Sequence, residues 1–494
     1  MCITSLSTLL QGIKDVPSVF DVTIHGLSTD SRRVSPGDAF VALSGQRTTA
    51  DQYVGQAIEA GATVVLLESS QADECHEQNG ALIVPVVGLR SQLGRIADRF
   101  FEHPSQRLRV IGVTGTNGKT SVSHYIARLL QETGTPCGVI GTLGYGMPDA
   151  LQEASHTTPD VVQVNRVLSR ILAQGGRAAA MEVSSHALDQ GRVDGLTMTG
   201  AVFTNLTRDH LDYHGSMEEY GAAKARLFKR EELHFAVINF DDPFGRQLYE
   251  QLDGQCDRVR YSLHESQTEI WLTGIEQTNA GFSASVDGLW GQFQFSASIL
   301  GSFNVSNLLA SMAAVLSLGV PVERVQSAVE CLVPPPGRLE PFTGANGVRV
   351  VVDYAHTADA LNSALEALRP HVSGRLICVF GCGGDRDTGK RPEMAREAEQ
   401  GADVVFVTDD NPRSEAPDQI TDQIMAGFSA PDKAMVVHDR ADAIRQAIAM
   451  AEEGDIVLIA GKGHEAWQET ATQRIPFSDA EQVRHALSLN GGVA

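Results

Sequence analysis

Short apolar bursts alternate with helically spaced apolar residues from one end of this chain to the other. Up to about residue 106, DAFVAL (38–43), ATVVLL (62–67) and ALIVPVV (81–87) read as buried strands with helical stretches between them. The polar segment EHPSQRLR (102–109), which carries Pro104, predicts a linker. RVIGVTG (109–115) then opens a second unit, with a Gly-rich turn and a helix whose apolar spacing shows in SVSHYIARLLQET (121–133). Further strands are predicted at RAAAMEV (177–183), GAVFTNL (200–206) and FAVINF (235–240). Strands alternating with helices in this way predict a largely parallel sheet covered on both faces. From about 258 to 300 the pattern shifts to short alternating stretches such as EIWLTGI and GQFQFSASI, read as antiparallel strands on the side of the domain. The run VPPPGRLEP (333–341) marks a second boundary, because consecutive prolines stop a helix. Beyond it, VRVVVDYA (348–355), RLICVFG (375–381), DVVFVTDD (403–410) and DIVLIAG (455–461) predict another open sheet. The expected fold is α/β in three domains. These are a small N-terminal α/β domain (1–106), a central P-loop ATPase-like parallel sheet with antiparallel side strands (107–336), and a C-terminal Rossmann-like domain (337–494).

Composition narrows the function. The 494 residues carry a formal net charge of −22, which argues against nucleic acid or an anionic membrane surface as the main partner, since both need a basic footprint. The seven cysteines are scattered, without zinc spacing or a disulfide framework. The N-terminus lacks the charge and apolar core of a signal peptide, and no apolar run approaches the ~18 residues of a membrane span. A cytoplasmic protein acting on small molecules, as a monomer, is expected.

The chemistry gathers at strand ends. Gly115, Thr116, Asn117, Gly118, Lys119, Thr120 and Ser121 form GTNGKTS between a predicted strand and a helix. Glycines there let backbone N–H groups face phosphate oxygens. Lys119 then reaches the β- and γ-phosphates of ATP, and the Thr120 hydroxyl holds Mg²⁺. The loop is a variant, because Val113 stands where the common pattern has glycine. Glu182, in MEVSSH, is a carboxylate at a strand end and a candidate ligand for magnesium, although a helix-capping role is the plainer alternative. NLTRDHLDYHGSMEEYGAAKARLF (205–228) concentrates Asp209, His210, Asp212 and His214, and places Lys224 on a helical stretch, where a lysine is ordinarily a solvated surface charge. GRLE (337–340), DYAHTADA (353–360), GCGGDRDTGKRP (381–392), TDDNPRSE (408–415) and GKGHE (461–465) follow. Several charged, Gly-rich loops at one sheet edge imply a binding crevice.

Taken in order, GTNGKT, EVSSH, LTRDHLDYHG, GSFNVSN (301–307), GRLE, DYAHT and DNPR resemble the Mur ligase family over essentially the whole chain. These are ATP-dependent enzymes that build the peptide stem of the bacterial cell-wall precursor. The resemblance implies a first domain for a UDP-sugar, a central one for ATP and a last one for the incoming amino acid. It implies catalytic roles for Lys119, Glu182, His210 and Lys224, with metal held by Thr120, Glu182, His210 and Lys224. It also implies that Lys224 is N6-carboxylysine, a carbamate able to ligate Mg²⁺. Asn304, Arg338, Asp353 and His356 match nucleotide contacts. Thr29, Ser31 and Gln46 match positions near the uridine, and Thr157, Thr158, Ser184, Gln190 and Arg192 match positions around sugar and peptide.

DNPR (410–413) resembles the mark of family members that add meso-diaminopimelate to the D-glutamyl γ-carboxylate of UDP-N-acetylmuramoyl-L-alanyl-D-glutamate through an acyl phosphate. The implied diaminopimelate contacts are Arg386, Asp410, Asn411, Pro412, Arg413, Gly461 and Glu465. Chemistry agrees: a distal carboxylate suits the fork of Arg413 and a distal ammonium suits Glu465, whereas lysine would leave Arg413 desolvated and unpaired. The rival readings are a lysine-adding ligase of the same family, folylpolyglutamate synthetase, and an ATP-binding scaffold without catalysis.

Overall fold

The computed structural model describes residues 3–44, 50–71, 73–154, 156–252, 254–278, 281–345 and 347–489; Gln46 lies outside them. The chain divides into two compact units, Met1–Glu269 with Ala310–Pro321, and Ile270–Leu309 with Val322–Ala494.

Besides the two-stranded pair Thr4–Ser5/Thr23–Ile24, the first unit holds two larger groups of strands among the described residues. The N-terminal one runs Gly26–Ser28, Asp38–Ala42, Val64–Ser69, Ala81–Val87, His76–Gln78, parallel except for the last strand. Its apolar bursts are these strands. The helix Leu89–Phe100 buries Leu89, Leu93, Ile96, Ala97 and Phe100, the spacing of one helical face, against Val41, Leu66 and Val84. The predicted linker is packed rather than loose. Pro104 starts the short helix Pro104–Arg107, where a missing N–H costs nothing, and buried Ser105 accepts a hydrogen bond from Thr197 N at 3.0 Å. Beside it, the backbone of Gly94 lies directly on that of Asp194 and Gly195. A Cβ on Gly94 would collide with the Asp194 carbonyl, and Gly195 has φ +74°.

The other sheet of this unit runs Gly144–Gly146, Cys137–Gly141, Ala178–Glu182, Arg109–Thr114, Gly200–Phe203, Phe235–Asn239, Asp257–Ser262. All neighbours are parallel except the hairpin Cys137–Gly141/Gly144–Gly146. Asp257–Ser262 was expected to be antiparallel and is parallel, because the helix Pro243–Gln251 forms the crossover that returns the chain in the same direction. Arg109–Thr114 has Ala178–Glu182 on one side and Gly200–Phe203 on the other, so the strand order reverses at its C-terminal end and opens a crevice there.

In the second unit, Ile270–Thr278, Gly281–Gly288 and Phe293–Ala297 form the expected antiparallel meander. A six-stranded sheet runs Glu340–Thr343, Arg349–Asp353, Ile456–Ala460, Leu376–Phe380, Val404–Val407, Ala434–Val436, antiparallel only at its first pair. Both faces are covered: Val351, Cys378 and Leu458 enter one core, and Val350, Ile377, Val379 and Val457 enter the other. The parallel strands therefore release DYAHT, GKGHE, GCGGDRD and DDNPR at one edge.

Candidate active site

The phosphate loop is held from behind by the strand-end segment after Gly200–Phe203. Thr116 N donates to Asn205 O at 2.9 Å, Asn117 N to Asn205 Oδ1 at 2.9 Å, and Thr204 Oγ1 to Asn117 O at 2.6 Å. Gly115 has φ +154° and a Cβ there would strike Thr204 Oγ1, so no other residue fits. The helix Lys119–Glu132 starts after Gly118, and its first N–H groups have no earlier helical carbonyl to bond. Lys119 Nζ donates to Gly115 O (3.0 Å) and Thr116 O (2.8 Å), folded over the loop it serves. Thr120 is buried, and its hydroxyl donates to Glu182 Oε2 at 3.0 Å. Ser121 is buried in the first turn.

Lys224 comes from the helix Met217–Ala225, started by Ser216, whose hydroxyl accepts from Glu219 N. It is only 1% exposed; its Nζ donates to Gly115 O at 2.8 Å and sits 4.2 Å over the ring of Tyr220. Burial, then the nearby Lys119 ammonium, pushes its pKa well below the ordinary lysine value, against the pull of Asp209. Tyr220 OH is 3.2 Å from Thr116 Oγ1. His210 caps Leu211–His214 with φ +53° and stacks edge-on at 4.8 Å from His186. Its pKa is lowered by burial and by Lys119 and Lys224. His214 Nε2 pairs with Ser185 Oγ at 2.9 Å, so it serves the scaffold.

Glu182 is 1% exposed and accepts from Thr120 and from Thr142 N (2.7 Å). On its far side, Thr142 Oγ1 donates to Thr157 Oγ1 (3.1 Å), and Thr158 Oγ1 to Glu182 O (2.8 Å). Ser184 N donates to Thr158 Oγ1 at 3.1 Å; Arg192 donates to Thr158 O at 2.8 Å and to Gln190 Oε1 at 2.7 Å. Thr157, Thr158, Ser184, Gln190 and Arg192 are thus one connected rim running into Glu182. Ser31, in the N-terminal sheet, donates to Gln56 Oε1 at 2.9 Å; Thr29, two residues before it, is half-buried.

Four predicted nucleotide residues lie in the second unit. Asn304 is buried, donating to Leu300 O (2.8 Å) and accepting from Asn307 (3.1 Å). Asp353 accepts from Leu339 N (2.7 Å) and Ala355 N (2.8 Å) and has its pKa raised by burial, against Arg338. Arg338 lies 4.7 Å over Tyr354, and His356 Nδ1 is 2.8 Å from Tyr354 O.

The predicted acceptor loops meet in the same unit. Arg413 has φ +51°; its Nη1 donates to Gly384 O (2.7 Å) and its Nε to Glu469 Oε2 (3.3 Å). Asp410, Asn411, Pro412 and Gly461 are buried, and Asn411 Nδ2 donates to Glu465 Oε2 at 2.8 Å. Arg386 is exposed beside them. Among the described residues no cluster of three or more His, Cys, Asp or Glu could hold a metal. The donors suited to magnesium are the hydroxyl of Thr120 and the carboxylate of Glu182, hard oxygens already 3.0 Å apart.

Three family models match in chain order: "Mur ligase family, catalytic domain" over 23–101, "Mur ligase middle domain" over 113–315 and "Mur ligase, glutamate ligase domain" over 337–463. The chain is 49% identical over 467 residues to the UDP-N-acetylmuramoyl-L-alanyl-D-glutamate–2,6-diaminopimelate ligase of Ectopseudomonas mendocina, covering 94% of this chain and 96% of that one. This chain belongs to the Mur ligase family. The Mur ligase of the same name from Coxiella burnetii is 45% identical, covering 98% and 99% of the two chains. A solved structure of a ligase of that name matches with TM-score 0.72 at 36% identity, covering 99% of this chain and all of that one. The MurF ligase of Thermotoga maritima in complex with ADP shares the fold at TM-score 0.64 and 18% identity, over 94% and 97% of the chains.

Within this Mur ligase the structure adds residues that motif reading passed over. Thr142 and Asn205 tie Glu182 and the phosphate loop in place, and Tyr220 floors Lys224. Around the predicted acceptor loops, Lys462 and Glu469 bond the predicted residues. Of these, Lys462 carried a sequence signal, a lysine between two glycines at a strand end; Arg391, which with Arg386 and Lys390 reads in the sequence as part of a basic anion-binding turn, is instead fully buried against Glu415.

Proposed function

We propose that this chain is the ATP-dependent ligase that adds meso-diaminopimelate to the γ-carboxylate of the D-glutamyl residue in UDP-N-acetylmuramoyl-L-alanyl-D-glutamate. Relatives at 45% and 49% identity carry that activity in their names. The observation that carries the choice of amino acid is the cluster at one sheet edge in which Arg413 and Glu465 are joined through Asn411 and Glu469. A guanidinium and a carboxylate held this way match an amino-acid head group, carboxylate to Arg413 and ammonium to Glu465. Arg413 is already paired with Glu469, so it is not left unpaired as the sequence alone suggests; a lysine side chain would bring it no second carboxylate and so would forgo a charge-assisted contact that diaminopimelate can make.

The substrate carboxylate attacks the γ-phosphorus of ATP, ADP leaves, and an acyl phosphate forms. The acceptor amine then attacks the acyl carbon, phosphate leaves, and the amide remains. The helix N-terminus at Thr120 and the Lys119 ammonium offset charge that builds on the transferring group. Swinging Lys119 off Gly115 O and Thr116 O frees it for the phosphates. Thr120 and Glu182 would hold Mg²⁺, joined by His210 and by Lys224 once carbamylated; the ion supplies Lewis-acid charge neutralisation at the phosphates. A buried lysine amine with lowered pKa is neutral often enough to add CO₂, which supports carbamylation. Asn304, Arg338, Asp353 and His356 are read as contacts of the nucleotide. The rim from Thr157 to Arg192 is read as the seat of sugar and peptide, with Thr29 and Ser31 at the uridine end. The domains are read as 1–106, 107–336 and 337–494. A monomer at work in the cytoplasm, where ATP and nucleotide-activated precursors are available, completes the reading. Among the described residues no helix is long and apolar enough to cross a membrane.

Phosphate release with ATP, Mg²⁺ and the UDP-dipeptide, comparing meso-diaminopimelate with L-lysine, tests the reading. Release with diaminopimelate alone supports it. Release with lysine instead would keep the ligase and overturn the choice of acceptor, and release with neither would overturn the function.

A further inference from the structure

Lys462 is a lysine with no exposed side-chain surface and no part in the chemistry described above. Its Nζ donates to Asn411 Oδ1 at 3.0 Å and to Glu465 Oε2 at 2.9 Å. Asn411 Oδ1 also accepts from Glu469 N (2.9 Å), while its Nδ2 donates to the same Glu465 Oε2 (2.8 Å). Two donors into one side of the amide and one donor out of the other fix its orientation. Glu465 Oε2 is thereby filled by two donors, and Oε1 accepts no hydrogen bond among the described residues. Burying an ammonium is costly unless it is paired and bonded. A lysine kept at full burial here therefore serves the groups it bonds.

We infer that Lys462 is a positioning residue for the acceptor amino acid: it occupies Oε2 of the Glu465 carboxylate and turns the group so that Oε1 alone is left for the ligand's ammonium. Through Asn411 the same ammonium braces Glu469, which in turn bonds Arg413 through both its backbone carbonyl (3.1 Å) and its carboxylate (3.3 Å). One buried cation thus aligns the anionic and the cationic half of the subsite. This rests on the proposed function, because it concerns the same acceptor site. The apolar part of the lysine is replaceable by methionine; its charge and hydrogen bonds are not.

The test is a double-mutant cycle on the full-length enzyme with Lys462→Met, Glu465→Gln and both together. For each, KM is measured for meso-diaminopimelate, ATP and the UDP-dipeptide, alongside kcat and Tm. Lys462→Met is expected to raise KM for diaminopimelate by about 10-fold or more. Its kcat and the other two KM values should stay within about 3-fold. In the Glu465→Gln background, Lys462→Met should add no more than about 3-fold, since its route through that carboxylate is gone and only its support of Arg413 through Asn411 and Glu469 is left to lose. An unchanged KM for diaminopimelate, a parallel rise in all three KM values, or penalties that multiply in the double variant would each overturn the proposal. If Lys462→Met does not fold, Lys462→Gln is read in its place. That amide keeps hydrogen-bond donors without the charge, and should raise KM for diaminopimelate several-fold; no change would overturn the proposal. A wild-type enzyme inactive with diaminopimelate would instead overturn the functional reading beneath it.

Discussion

Lys224 Nζ donates to the carbonyl oxygen of Gly115 across 2.8 Å, tying a helix end to the first residue of the phosphate loop. The lysine is buried and its pKa is lowered first by that burial and then by Lys119. Neutral amine is what reacts with CO₂. Enzyme stripped in CO₂-free buffer is therefore expected to lose most of its activity and to recover on adding bicarbonate. Lys224→Ala should lower kcat by about 10³-fold and ignore bicarbonate. Activity indifferent to bicarbonate in the wild type would reject the modification.

Thr120 Oγ1 and Glu182 Oε2 stand 3.0 Å apart, both buried. Glu182→Gln keeps the shape and the bonds to Thr142 but removes the charge. Phosphate release titrated with Mg²⁺ should show half-saturation moved to about 10-fold higher metal or beyond, and kcat down by about 10²-fold. A wild-type magnesium curve would remove Glu182 from the metal site.

Arg413 should decide between acceptors. Arg413→Ala is expected to lower kcat/KM for meso-diaminopimelate by about 10²-fold or more, while leaving KM for ATP unchanged. Competition between the two amino acids in one assay reads this directly; a preference for diaminopimelate that survives the substitution would place its distal carboxylate elsewhere.

The pair Arg391–Glu415 predicts a pH dependence of stability. Arg391 is fully buried, and its hydrogen bonds at 2.8 and 2.9 Å, foremost, hold the Glu415 carboxyl below its ordinary value. A carboxyl whose folded pKa is depressed stabilises the fold above its unfolded pKa and stops doing so as pH falls through the folded one. Glu415→Gln should cost about 3 kcal/mol at neutral pH. That cost should shrink as pH drops below about 4.5, the ordinary value for glutamate. Urea midpoints of both proteins at several pH values measure it, and a difference independent of pH would contradict the linkage.

Most strands of the larger sheets were readable because buried parallel strands are short apolar runs closed by glycine or charge. The same rule misread Asp257–Ser262, whose direction is set by the crossover helix before it and by nothing in its own alternation. The loop from Gly115 to Ser121 was visible because glycine, lysine and threonine must follow one another there. Its supports were not: Asn205 and Thr204 lie about a hundred residues away and resemble any strand-end polar residues. Lys224 was the reverse case, a helix lysine of ordinary appearance whose meaning came from family likeness and whose burial only the fold reveals. Glu469 sits on the small hairpin Trp467–Glu469/Arg474–Pro476, which carries no motif and acquires its role from where it folds.

The backbone contact of Gly94 with Asp194 and Gly195 makes a weld at one point of the junction between the N-terminal and central sheets, since no side chain stands in that contact to be lengthened or shortened by mutation. Thr29 and Ser31 lie in the domain on one side of that weld; Thr157 and Arg192 lie on the other. If the uridine and peptide ends of the substrate bind as proposed, the two pairs form the end stops of a rigid gauge. A precursor lacking an amino acid, or already carrying one too many, would then be rejected for its length, before any of its functional groups is tested.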